Sequence, residues 1–142
     1  MKLTPFTLLL TLLCATILHA KVVFPNKIYR DTIWTAKEQT QPIAIHHLKR
    51  TENSSTHLIR LSKSEAPHYH DRHDLQVVIL EGTSIIHFKD QQITLEKGDV
   101  IFIPKGTFHW AENTSPKASI VFATFSPAFD GKDRRVVKKK DI

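Results

Sequence analysis

An all-β domain is the fold class this sequence predicts, and three observations carry it. Short β-rich runs such as His57-Leu58-Ile59-Arg60-Leu61 and Ser119-Ile120-Val121-Phe122-Ala123-Thr124-Phe125 are divided by polar turns. Their recurrence at intervals of about eight to twelve residues is that of antiparallel sheet. The run Gln76-Val77-Val78-Ile79-Leu80 is apolar on both faces, so one face meets a core and the other needs cover from a second sheet or a partner chain. A length of 142 residues, 41% hydrophobic and 24% charged, supports one such core and is too short for two sizeable ones.

Residues 1–20 stand ahead of that domain. Met1-Lys2 supplies a positive start, Phe6 to Leu18 is apolar apart from threonines, and His19-Ala20 ends in a small residue before Lys21. The apolar run is shorter than the roughly 18–20 residues of a spanning helix, so it reads as a cleaved secretory signal peptide, with retention as an anchor the alternative. Cleavage after Ala20 predicts a periplasmic or secreted mature chain with no stable membrane insertion. The one cysteine, Cys14, lies inside this segment. The mature chain therefore has neither disulfides nor thiolate chemistry, and its stability rests on packing and on any bound metal.

Residues 21–45 read as an N-terminal strand or arm, with Val22-Val23-Phe24, Tyr29 and Trp34 among polar residues and Pro25 and Pro42 as punctuation. Two readings stand. The arm crosses to a neighbouring subunit's sheet, making a homodimer, or it is an edge strand of its own chain. Residues 46–129 hold the barrel strands. His46, His47 and His57 are read as strand residues outside any metal site, because adjacent histidines on a strand face opposite ways. His87 and Trp110 are read as wall or surface residues packed on the sheet.

Residues 130–142 form a basic tail. Lys132, Arg134, Arg135, Lys138, Lys139 and Lys140 outnumber Asp133 and Asp141, so residues 132–142 account for +4 of the chain's net +6. Such a tail attracts phosphates, but no aromatic-interleaved basic face extends it. Nucleic acid is not an expected partner, and the tail reads as a solvated end.

The chemistry lies between Pro67 and Asn113. His68 and His70, at i and i+2 on an extended strand, point to one side of a sheet and can grip one ion together. His109 is the candidate third ligand, because the Pro104-Lys105-Gly106 turn before it can aim a new strand back across the first. The predicted cofactor is one divalent transition metal, iron, manganese, zinc, nickel or copper.

At these residues the chain resembles the cupin superfamily. Gly98, Pro104, Gly106, His109 and Asn113 fill each position of the second cupin motif, and His68, Tyr69, His70 and the closing Leu80-Glu81-Gly82 resemble the first. The resemblance implies a small single-domain cupin of the cupin 2-like kind, with a double-stranded β-helix, or jelly-roll barrel. Two positions depart from it. Ser62 replaces a turn glycine, and the family's glutamate ligand falls on Asp74 counting forward from His70 but on Leu75 counting back from Gly82. One residue on a strand is the difference between facing the metal and facing away. The candidate metal ligands are thus His68, His70 and His109, with Asp74 as a disputed fourth.

Three neutral imidazoles leave a divalent ion its full charge and open positions, a Lewis-acid or oxygen-activating centre. The resemblance implies a metal-dependent enzyme such as an oxygenase acting on a small organic substrate. The alternative is a non-catalytic periplasmic module that captures a metal or small ligand. Tyr69, His73, His87 and Glu112 are the candidate proton carriers, and His73, in the loop after the ligand strand, is the best placed.

Overall fold

A computed structural model of the chain describes residues 21–25, 27–29 and 33–138. The expected signal segment, its cleavage site and Lys139, Lys140 and Asp141 lie outside the described residues.

The first described element is a small antiparallel pair, β1 (Val22–Phe24) with β2 (Lys27–Tyr29). A short helix follows, α1 (Ala36–Thr40), where the sequence reading expected only a strand or arm. Its cause is local. Thr35-Ala36-Lys37-Glu38 forms a reciprocal capping box in which the Thr35 hydroxyl accepts from the Glu38 amide and the Glu38 carboxylate accepts from the Thr35 amide.

The body is two facing β layers. One sheet has the order β3 (Ile43–Arg50), β4 (Ser55–Leu61), β11 (Ser119–Ser126), β6 (Asp74–Glu81) and β9 (Val100–Ile103), each pair antiparallel. The other contains β10 (Trp110–Asn113), β7 (Ser84–His87) and β8 (Gln92–Leu95). A bridge between His68 and His109 carries that layer on into β5 (His68–His70), which pairs in turn with β12 (Arg134–Val136). Apart from the β3–β4 and β7–β8 pairs, consecutive strands from β3 on alternate between layers, which brings residues far apart in sequence onto one wall.

Strand parity sets the interior. On β6, Leu75, Val77 and Ile79 are buried while Gln76 between them is exposed, and they pack with Ile86, Ile103 and Phe125 from both layers. Burying each such side chain stabilises the fold by about 1.5–3 kcal/mol relative to leaving it exposed. The opposite face of the larger sheet has its own cluster of Trp34, Ala44, Leu58 and Ile120, with Leu80 packed against it. The residues before β3 therefore cover an outer face of their own chain.

The segment read as a solvated basic end contributes β12, with Arg134 opposite His70 and Val136 opposite His68. Neutralising contacts hold it. Arg135 forms a double hydrogen bond with Asp71 (2.7 and 2.8 Å) and lies 4.2 Å over the Tyr69 ring. Asp133 is buried, accepting from the Arg72 amide at 3.0 Å, its Nε at 3.2 Å, and His73 Nδ1. The partners that use this segment's charge lie in the turn after β5.

Candidate metal centre

β5 is three residues long, and its alternation buries His68 and His70 while Tyr69 faces the other way against Phe108 and Arg135. Gly106, at φ 75°, closes the turn that follows Pro104, a conformation open to glycine at little cost. That turn delivers the Gly106 amide to the His70 carbonyl at 2.7 Å and sets His109 opposite His68, the two exchanging backbone hydrogen bonds of 3.0 Å each way. His109 is buried as well. One candidate ligand atom from each of the three imidazoles lies within 4.8 Å of the others.

The rings are oriented by backbone. His68 Nδ1 donates to the Ala66 carbonyl and His109 Nδ1 to the Thr107 carbonyl, both at 2.9 Å. This fixes the tautomer and leaves Nε2 of each ring as a lone pair, the arrangement common behind metal-bound histidines. His109 Nε2 and His70 Nδ1 are buried with no hydrogen-bond partner. Buried nitrogens without partners call for an explanation, and a cation among them is one. Burial holds all three rings in the neutral, ligating form: it pushes His68 down to about 3, with the Arg134 charge adding to the effect, His70 down to about 4, and His109 below its usual range. The residues fit a divalent ion that accepts imidazole nitrogen.

Asp74 does not join them. Its carboxylate accepts the Lys105 amide at 2.9 Å, while its neighbour Leu75 turns into the core opposite Ile103. The parity of β6 puts an apolar residue in the inward slot and sends the carboxylate outward. Among the described residues the group of metal-type side chains is His68, His70 and His109.

The expected proton carriers are also placed elsewhere. His73 is buried with Nδ1 on Asp133 and Nε2 3.3 Å from the Ala128 carbonyl, so both nitrogens are engaged outside the cavity. His87 stacks on Trp110 with ring centroids 4.4 Å apart and meets Glu112 at 3.0 Å, the wall role read from the sequence.

The three histidines line a cavity of about 140 Å³ inside the barrel, walled mainly by apolar side chains such as Ile59, Val77, Ile103 and Phe125. Three other polar contributors were missed by sequence reasoning. Glu65 lines the cavity with Oε2 accepting the Ala111 amide at 3.1 Å, and burial raises its carboxyl above the usual range. Arg134 lines it from β12. The third is the pair His47 and His57, whose Nδ1 atoms are 2.9 Å apart; burial, with the charges of His47 and Arg50, holds His57 down at about 4. Parity along Ser55, His57, Ile59 and Leu61 was the available signal for His57. For Arg134 there was none, because only tertiary pairing brings β12 beside β5.

Comparison with known proteins agrees with this architecture. The Cupin_2 family model, a cupin domain, matches residues 57–125. A protein of Aquifex aeolicus (strain VF5), itself uncharacterized, is 37% identical over 115 residues, 79% of this chain and 94% of that one. Among solved structures, KdgF from a Halomonas species superposes with a TM-score of 0.59 at 25% identity, over 63% of this chain and 83% of its own. A cupin-2 domain protein from Shewanella frigidimarina gives 0.52 at 25% identity, over 57% and 78%.

Proposed function

We propose that this chain, which belongs to the cupin superfamily and carries a Cupin_2 domain, is a metal-dependent enzyme acting on a small organic substrate, for example an oxygenase. One observation supports this above the rest: three buried imidazoles converge, two with unpartnered nitrogens, on the wall of a mostly apolar cavity. A divalent ion held by three neutral imidazoles keeps open positions and supplies Lewis acidity or oxygen activation.

The chain's own residues do the remaining work. His68, His70 and His109 would hold the ion, and the Ala66 and Thr107 carbonyls orient two of the rings. The apolar walls exclude water, which strengthens every charge interaction inside. Glu65 provides the acid–base group that a bare ligand set lacks: it lines the cavity, burial raises its carboxyl above the usual range, and its Oε2 is held by the Ala111 amide. Export through residues 1–20 belongs to the same proposal, and N-terminal sequencing of the mature protein checks it.

Elemental mass spectrometry of the full chain, purified without a metal-binding tag, tests the ion. About one equivalent of iron, manganese or copper directs oxygen-uptake assays on a panel of small substrates. Tight ligand binding without turnover assigns the chain instead to a binding module. A protein with no metal that takes none up on reconstitution overturns the reading.

A further inference from the structure

Among the described residues lining the cavity, the permanently charged side chain is Arg134. It is exposed on one side and borders the cavity on the other, which places it at the mouth. Its position is imposed from both directions along the chain. Arg134 pairs with His70 across the β12–β5 ladder, and the preceding residue, Asp133, is buried and tied to Arg72 and His73. The guanidinium donates to the Ala66 carbonyl at 3.1 Å, the same carbonyl that orients His68, and makes no ion pair among the described residues. Its charge reaches Glu65 and all three clustered histidines.

We infer that Arg134 is the anion anchor of this cavity and that the molecule it admits is a small organic monocarboxylate. The carboxylate sits on the planar guanidinium, and the carbon body enters the apolar space beside the three histidines. A guanidinium matches a carboxylate with two parallel hydrogen bonds, and such charge-assisted bonds are stronger than neutral ones. One cation and a cavity of about 140 Å³ suit a compact monoanion. A phosphate dianion would face a single guanidinium and the Glu65 carboxyl. This deepens the metal-enzyme reading and rests on it for the chemistry, but the anchor itself is a property of Arg134 with or without an ion.

Calorimetric titration of the full chain, metal-free and zinc-loaded, with butyrate, butyramide and inorganic phosphate decides the matter. The wild type is expected to bind butyrate at least tenfold more tightly than its neutral isostere butyramide, and more tightly than phosphate. Arg134→Gln is expected to shrink the butyrate preference to within twofold at unchanged zinc content and melting temperature. Lys138→Gln, which removes the same charge from an exposed position, is expected to keep it. Should Arg134→Gln not fold, Arg134→Lys serves, with the preference reduced but present. A preference that survives in Arg134→Gln, equal binding of butyrate and butyramide by wild type, or tighter phosphate binding overturns the inference. Failure of zinc to load refutes the metal site separately, since the metal-free titration still reads Arg134.

Discussion

His68 and His109 face each other across an antiparallel bridge, exchanging backbone hydrogen bonds at 3.0 Å in both directions, with ring centroids 4.5 Å apart. The bridge that joins two pieces of one sheet thus also aligns two of the three clustered imidazoles. A backbone contact of this kind survives the loss of either side chain, so the site can be dismantled without dismantling the layer.

His109→Ala is expected to lower metal affinity more than about 100-fold, beyond the effect of disturbing an outer-shell partner, while leaving the far-ultraviolet circular dichroism unchanged. Metal content matching wild type in that variant would show that the proposed site is wrong.

Asp74→Ala separates the disputed ligand from the three-histidine cluster. With the carboxylate on the Lys105 amide, the variant should lose about 1 kcal/mol of stability and keep its metal affinity within about threefold. A loss of affinity comparable to that of His109→Ala would make Asp74 a ligand.

Asp133→Ala removes a buried carboxylate from His73 and Arg72. Against the upward push of burial, hydrogen bonds from those two residues hold Asp133 at about 2. Breaking the pair should cost about 3 kcal/mol and free β12, read as a lower denaturation midpoint and faster proteolysis near Arg134. An unaltered cleavage pattern would mean that β12 is held by other contacts.

Metal-free protein should lose stability as pH falls from about 6.5. His57, His68, His70 and His109 all have folded pKa values below the ordinary 6.5. Below 6.5 the unfolded chain takes up protons that the folded chain refuses, so stability falls with pH from 6.5 down to about 4 for His57 and His70 and about 3 for His68, and His109 acts in the same direction. Glu65, raised, acts with the opposite sign, one group against four. The urea midpoint at pH 5 should lie below that at pH 7.5, and the reverse order would mean that these rings are solvated.

Two glycines at positive φ should respond differently to alanine. At Gly82 (φ 79°) an added Cβ would stand 2.8 Å from Ser115 Oγ and 3.1 Å from the Ser119 backbone, whereas at Gly106 (φ 75°) it meets nothing within 4 Å. Gly106→Ala should cost about 1 kcal/mol through conformation alone, and Gly82→Ala about 2 kcal/mol or more, measured by thermal denaturation.

Local pattern made much of this protein legible before any coordinates. Short β-rich runs and the polar turns between them imply antiparallel layers, and two histidines at i and i+2 must share a side because strand geometry has a period of two. The Pro104-Lys105-Gly106 turn likewise announces the chain reversal that brings His109 back. These are consequences of backbone geometry acting over a few residues. Register and layer pairing are not. Whether Asp74 or Leu75 faced inward hung on a one-residue count that ended with Leu75 opposite Ile103. Glu65 and Arg134 entered the cavity only because β12 pairs with β5 and the Glu65 carboxylate caps the Ala111 amide. His73 looked like a proton carrier by proximity in sequence, until its two nitrogens met Asp133 and the Ala128 carbonyl, partners contributed by the far end of the chain. Short-range geometry names the three clustered histidines, whereas the charges around them are assembled by contacts whose sequence separation leaves no periodic trace.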